Sequence, residues 1–250
     1  MSGQHHHDHS AHVHSHHGSF SHEPAAAAQE LYREAYQDAQ PDAGRKVVAV
    51  ELQARGADWA VAPGAVVRAW TFNGQVPGPV IEGRVGDVLE VRLTNRLPEP
   101  TAVHWHGMRL PAPMDGTEMV QELVQPGETF TYRFKLLDAG TFWYHPHVNE
   151  TVQLERGLYG ALIVRGDDEP TLDREQVLVL DDLKLDRKGR IAKFGGFVQW
   201  HDGREGDARL VNGRVEPTLT IAAGQIERWR VVNAASARYV RLSIGGAQFR

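Results

Sequence analysis

Four histidines stand in two His-x-His pairs, His104/His106 and His145/His147. Alternate residues of a β-strand point to the same face, roughly 6.5–7 Å apart. His104 and His106 therefore project together, with Trp105 on the opposite face. His145 and His147 are expected to do the same on a second strand. If those strands are neighbours, four imidazoles converge on one patch. Four neutral imidazoles without thiolates suit copper, zinc or nickel. The spacing within a pair is wide for chelating one ion and fits two or three ions sharing the ligands. Histidine is otherwise scarce in the body of the chain. Nine of the 14 lie in the first 22 positions (His5, His6, His7, His9, His12, His14, His16, His17 and His22), and only His201 remains outside the pairs.

Composition narrows the chemistry. The 250 residues contain no cysteine. Disulfides, thiolate nucleophiles, iron–sulfur clusters and Cys-based zinc sites are excluded, as is a blue copper centre within this chain. The net charge of −5 gives no basic surplus for a nucleic-acid partner. No apolar run approaches the roughly 20 residues of a membrane span. No secretory signal opens the chain.

Short segments rich in Val, Thr, Phe, Tyr and Trp must position the histidines. VVAVELQA, AVVRAWTF, VLEVRLTN, TFTYRFKL, GTFWYHPH and LYGALIVR run from Val47 to Arg165, separated by Gly, Pro, Asn and Asp turns. Their alternation and close spacing predict an antiparallel sandwich or barrel. A second strand region starts near Val177 with VLVLDDLKL. Residues 1–23 read as a disordered His-rich tail. Residues 24–40, rich in Ala, Glu and Gln between Pro24 and Pro41, predict a short helix.

An internal repeat divides the chain. NGQVPGPVIEGRVGDVLEVRLTN opens at Asn73, and NGRVEPTLTIAAGQIERWRVVN opens at Asn212. The offset is 139 residues at the start, and 138 at the end between Asn95 and Asn233. An offset this long marks a duplicated domain, not a solenoid. The expected organisation is 1–44, tail and helix; 45–166, a first domain with the metal ligands; and 172–250, a second domain without them. Gly166 lies 71 residues beyond Asn95, but Arg250 lies only 17 beyond Asn233. The second domain is therefore expected to be incomplete, short of roughly 50 residues by this comparison.

The segment HWHG (His104–Gly107), then WYHPH (Trp143–His147) and GLYGALIV (Gly157–Val164), resembles the first cupredoxin domain of a multicopper oxidase. NGQVPGP (Asn73–Pro79) and the Gly86–Asp87 turn match the lead-in to that motif. The likeness covers residues 45–250 and is strongest to three-domain, laccase-like bacterial enzymes, whose middle domain has no copper ligands. Consistently, nine residues beyond Asn95 stands His104, and nine beyond Asn233 stands Leu242.

The resemblance implies an all-β fold of tandem cupredoxin-like Greek-key sandwiches, the second incomplete. It implies that His104 binds a type 2 copper and that His106, His145 and His147 bind a type 3 pair. These are half the ligands of a trinuclear cluster that reduces dioxygen to water with electrons from a phenol, amine or metal ion. Asp115, in MDG, stands where the family often has an acidic residue that passes protons to the cluster; its other reading is a plain Asp-Gly turn. Pro146 replaces the commoner Ser. The family's blue copper set and remaining cluster ligands are absent from this sequence. A further cupredoxin domain is expected to supply them, in cis or from another chain, and this chain alone is expected not to turn over. The resemblance points to the periplasm or to secretion, while the missing signal leaves the cytoplasm open.

A copper-sequestering protein without turnover is the competing class, and a cupredoxin scaffold that has lost catalysis is a third. Intact ligands at four positions argue against the last. A His-Cys-His run in the reading frame beyond Arg250 separates the first two. The His-rich tail has three readings: copper collection, a solvated leader, or an expression feature. His201, in Trp200-His201-Asp202, reads as a solvated loop residue, and Asp181-Asp182 as a turn at a strand end.

Overall fold

The computed structural model describes residues 39–245. The tail and all but the last two residues of the helix expected over 24–40 lie outside that range. Alternating apolar residues form eight strands up to Arg165: β1 (Val47–Ala62), β2 (Ala65–Phe72), β3 (Ile81–Arg84), β4 (Val88–Arg96), β5 (His104–His106), β6 (Thr129–Lys135), β7 (Gly140–His145) and β8 (Gly160–Arg165). They make two four-stranded sheets, ordered β2-β1-β4-β6 and β3-β8-β7-β5. The inward residues of both sheets share one core, with Leu52, Leu89, Tyr132 and Phe134 from the first and Trp105, Tyr144 and Leu162 from the second. The fold is of the cupredoxin type.

The pairing is not antiparallel throughout. β1 runs parallel to β4 from Val47↔Val88 to Arg55↔Arg96, and β3 runs parallel to β8. Parallel neighbours need a crossover; between β1 and β4 the chain visits the opposite sheet through β3. A third sheet, β11-β10-β9-β12, follows the same plan, with β9 (Arg174–Leu183) parallel to β12 (Glu227–Asn233) and antiparallel to β10 (Ala208–Val211), which pairs with β11 (Arg214–Val215).

The repeated asparagines do the same work in both halves. Asn73 (φ 57°) and Asn212 (φ 50°) adopt the left-handed conformation that asparagine tolerates. The Asn73 amide donates to the Glu51 carbonyl at 2.8 Å, and its oxygen accepts from Gln53 N–H at 2.7 Å. The Asn212 amide donates to Val177 at 3.0 Å and accepts from Val179 at 2.8 Å. Each brace ties a turn to the first strand of its sheet. The far end of β1 joins the halves. Trp59 is buried with Leu183 and Leu210, and its indole N–H donates to the Gly213 carbonyl at 2.7 Å.

Two short helices matter below: α1 (Glu150–Gln153) and α2 (Phe197–Asp202). Among the described residues, no helix is long and apolar enough to cross a membrane.

Candidate metal centre

β5 and β7 are neighbours, and their register sets His104 directly opposite His145. The His104 ring centroid lies 5.6 Å from His106, 5.4 Å from His145 and 4.4 Å from His147. His145 lies 5.5 Å from His106 and 5.3 Å from His147. Ring nitrogens of His104, His145 and His147 come within 4.8 Å of one another, and His106 Nδ1 is 3.2 Å from His145 Nε2. The four imidazoles form one cluster.

One detail differs from the expected strand geometry. β7 ends at His145, so His147 lies beyond it. Pro146 has no N–H to continue the ladder. The chain nevertheless returns the His147 ring to the cluster.

The rings are oriented from behind. His104 Nδ1–H donates to the Asp115 carbonyl at 2.9 Å, and His145 Nδ1–H to the Pro146 carbonyl at 3.0 Å. Occupying Nδ1 in this way leaves Nε2 with its lone pair, the usual arrangement behind a metal-binding histidine. Trp143 stacks on His145, centroids 4.1 Å apart, and lies 5.0 Å from His106.

Burial disfavours the charged form of two of the rings, His145 and His106. His145 is 1% exposed. Burial pulls its pKa down to about 3, reinforced by the other histidines and opposed by the Pro146 hydrogen bond. The pKa of His106 is also lowered, by partial desolvation and then by His104 and His147. A ligand imidazole must be neutral. The donor set therefore fits a nitrogen-preferring ion such as copper, and gives no thiolate.

Asp115 belongs to a turn and lies beside His104. It closes a 3₁₀ turn (Ala112–Met114), with its N–H donating to Ala112 at 3.1 Å. Its Oδ1 lies 3.3 Å from His104 Nδ1. Gly116 follows at φ 80°, where a Cβ would collide with the Val103 carbonyl.

Sequence reasoning missed several partners. Glu150 on α1 brings Oε1 to 3.5 Å from His145 Nδ1. Gln153, also on α1, bonds Thr101, Glu99 and Pro100 just ahead of β5. The Tyr132 hydroxyl accepts the Val103 N–H at 2.7 Å, next to His104. Only the turn of α1 folds Glu150 back, and nothing in the local pattern announces a four-residue helix.

Two minor readings are corrected. His201 sits on α2, not in a loop, exposed and bonded to Asp202. Asp181 and Asp182 lie inside β9, not in a turn; they are held by the Tyr159 hydroxyl and Arg238.

Residues 54–169 match the family described as multicopper oxidase. The chain is 35% identical over 213 residues to the multicopper oxidase MmcO of Mycobacterium tuberculosis, covering 73% of this chain and 42% of that protein. It is 42% identical over 122 residues to copper resistance protein A of Escherichia coli, covering 48% and 20%. A solved multi-copper oxidase from Pseudomonas thermotolerans superposes with a TM-score of 0.72 at 42% identity, over 76% of this chain and 47% of that one. The chain thus spans less than half the length of each.

Proposed function

Because this chain, through residues 54–169, belongs to the multicopper oxidase family, we propose that it is the copper-bearing N-terminal part of a laccase-like oxidase. The activity is oxidation of a small reducing substrate (a phenol, an amine or a metal ion) coupled to reduction of dioxygen to water. The observation that carries this is the convergence of four imidazoles from β5 and the end of β7, two of them with Nδ1 held by carbonyls.

In this reading His104 holds the type 2 copper, and His106, His145 and His147 hold ions of the type 3 pair. Copper bound there supplies the electron transfer to dioxygen. The remaining work belongs to the chain. His145, buried and neutral, presents its lone pair without first losing a proton. Trp143 and the core behind Trp105 keep bulk water off the rings' inner side. Asp115, a third exposed and 3.3 Å from His104, carries protons between solvent and the site. Residues 45–166 bear the ligands, and 172–250 form a second cupredoxin unit without any. The remaining cluster ligands and a Cys-bearing blue copper centre belong to a further cupredoxin domain, in cis or from another chain. The proposed compartment is the periplasm or the exterior, as the resemblance to the multicopper oxidase family implies.

The experiment loads the purified chain with copper(II), removes the excess, and records absorption and oxygen uptake with a phenolic dye. Pale imidazole-bound copper without the intense thiolate band is expected. Uptake should match free copper ions until a Cys-bearing cupredoxin domain is supplied. A His104→Ala/His106→Ala chain is the control. Equal copper content in both chains contradicts the proposal.

A further inference from the structure

A cleft of about 250 Å³ lies at the junction between the ligand-bearing unit and the third sheet's unit. Val152 of α1, with Glu155 and Arg156 just after it, lines one side. Lys193 and Phe194, ahead of α2, and Arg204, beyond it, line the other. None of the four clustered histidines takes part.

The lining carries more positive charge than it neutralises. Arg156, Lys193 and Arg204 share the cleft with a single carboxylate, that of Glu155. Glu155 is already paired with Arg204, and both side chains are almost wholly buried. Arg204 also donates to the Ala192 carbonyl at 2.7 Å, yet its Nε–H is buried without a partner. The Arg156 guanidinium lies over the Trp70 ring, 4.3 Å from the centroid, instead of on a carboxylate. Lys193 is exposed. Burial pushes the neighbouring Asp181 carboxyl up to about 8, with Glu155 acting in the same direction, so Asp181 adds little negative charge at neutral pH. A cleft lined by an excess of one sign concentrates the opposite ion. The remaining walls are apolar. Val152, Ile191 and Phe194 line them, and the Arg204 guanidinium sits 6.0 Å from the Phe194 ring centroid. The volume falls just short of the roughly 300–1,000 Å³ of pockets for drug-sized ligands, which suits one ring and not two.

We propose that this cleft binds a small aromatic carboxylate, one ring bearing one carboxylate group. The carboxylate oxygens accept from Lys193 and Arg156, the buried Arg204 adds its positive field, and the ring lies against Phe194. An anion here is attracted by charges that the protein leaves unpaired, and its ring gains apolar contact that a bare ion does not. The site stands independently of the copper reading, because it shares no residue with the histidine cluster.

The test titrates para-fluorobenzoate into the full chain and follows it by fluorine NMR, with a chelator present so that carboxylate–metal bonds do not contribute. Acetate supplies the charge without the ring, and para-fluorobenzyl alcohol the ring without the charge. The fluorobenzoate is expected to saturate with a Kd on the order of 1 mM, and each control to bind about tenfold more weakly. Lys193→Gln and Arg156→Gln should each weaken it about two- to fivefold, and the two together about tenfold. Lys193 is exposed, so Lys193→Gln should keep the urea midpoint of the unsubstituted chain, and its weaker binding then reports the site and not the fold. Absence of saturation, binding no tighter than that of either control, or binding unchanged in the double variant overturns the proposal.

Discussion

The Thr101 hydroxyl donates to the side-chain oxygen of Gln153 at 2.7 Å, and both residues are fully buried. Fifty-two residues of sequence separate them. The Gln153 amide also donates to Glu99 Oε1 at 2.8 Å and the Pro100 carbonyl at 2.9 Å. This single side chain ties the helix that follows His147 to the segment that leads into His104. Gln153→Leu leaves the Thr101 hydroxyl and the Pro100 carbonyl without their partner. Unsatisfied buried polar groups cost about 1–3 kcal/mol each, so a loss of about 2–4 kcal/mol is expected in urea denaturation. Copper affinity should fall with it, because the two histidine segments lose their common brace.

Gly116 governs the other support. Its φ of 80° and the nearby Val103 carbonyl admit no Cβ. Gly116→Ala is expected to cost upwards of about 2 kcal/mol through backbone strain. It should also shift the Asp115 carbonyl from His104 Nδ1. The measurements are the urea midpoint of the metal-free chain and copper quenching of Trp143. A midpoint equal to that of the unsubstituted chain contradicts the expectation.

Glu155 and Arg204 form an ion pair in which both side chains are almost wholly buried. Glu155 follows α1, and Arg204 follows α2 and also donates to the Ala192 carbonyl at 2.7 Å. The pair thus joins the ligand-bearing unit to the third sheet's unit. Glu155→Ala strands a buried guanidinium, at an expected cost of about 3–5 kcal/mol. Replacing both partners, as Glu155→Leu with Arg204→Met, should recover most of that loss. A double variant no better than the single one counts against this assignment.

Burial pushes the Asp181 carboxyl up to about 8, with Glu155 and Asp182 adding in the same direction against hydrogen bonds from Tyr159 and Asp182. The sign follows from proton counts. Between its ordinary value near 4 and about 8, the folded chain keeps a proton that the unfolded chain has released. Stability must fall as pH rises through this window, by at most about 1.4 kcal/mol per pH unit. Asp181→Asn should flatten that slope. Urea midpoints across the window, compared between the two chains, check it; equal slopes contradict it.

The pairing of His104 with His106 was legible in the sequence because a strand turns a spacing of two into a shared face; His147, beyond the end of β7, reaches the cluster without that periodicity. The repeated Asn-Gly turns were legible for a similar reason: Asn73 and Asn212 each brace the strand about twenty to thirty-five residues before them. What stayed hidden depends on long-range placement. β3 is four residues long, too short for a period to show. The parallel pairing of β1 with β4 is set by the chain's detour through the opposite sheet. Glu150 and Gln153 acquire their partners only when α1 folds against the loop before β5. Asp181 and Asp182 looked like a turn because two adjacent carboxylates rarely sit in a strand; here Tyr159 and Arg238 are the partners that allow it.

The central claim is that His104, His106, His145 and His147 share one copper site. The direct measurement is an anomalous difference map, collected at the copper edge from crystals of the copper-loaded chain. Density between β5 and the end of β7, about 2.0–2.1 Å from His104 Nε2 and from nitrogens of the partner histidines, is the expected result. Copper density confined to other parts of the chain, with the four rings still clustered and bare, contradicts the claim.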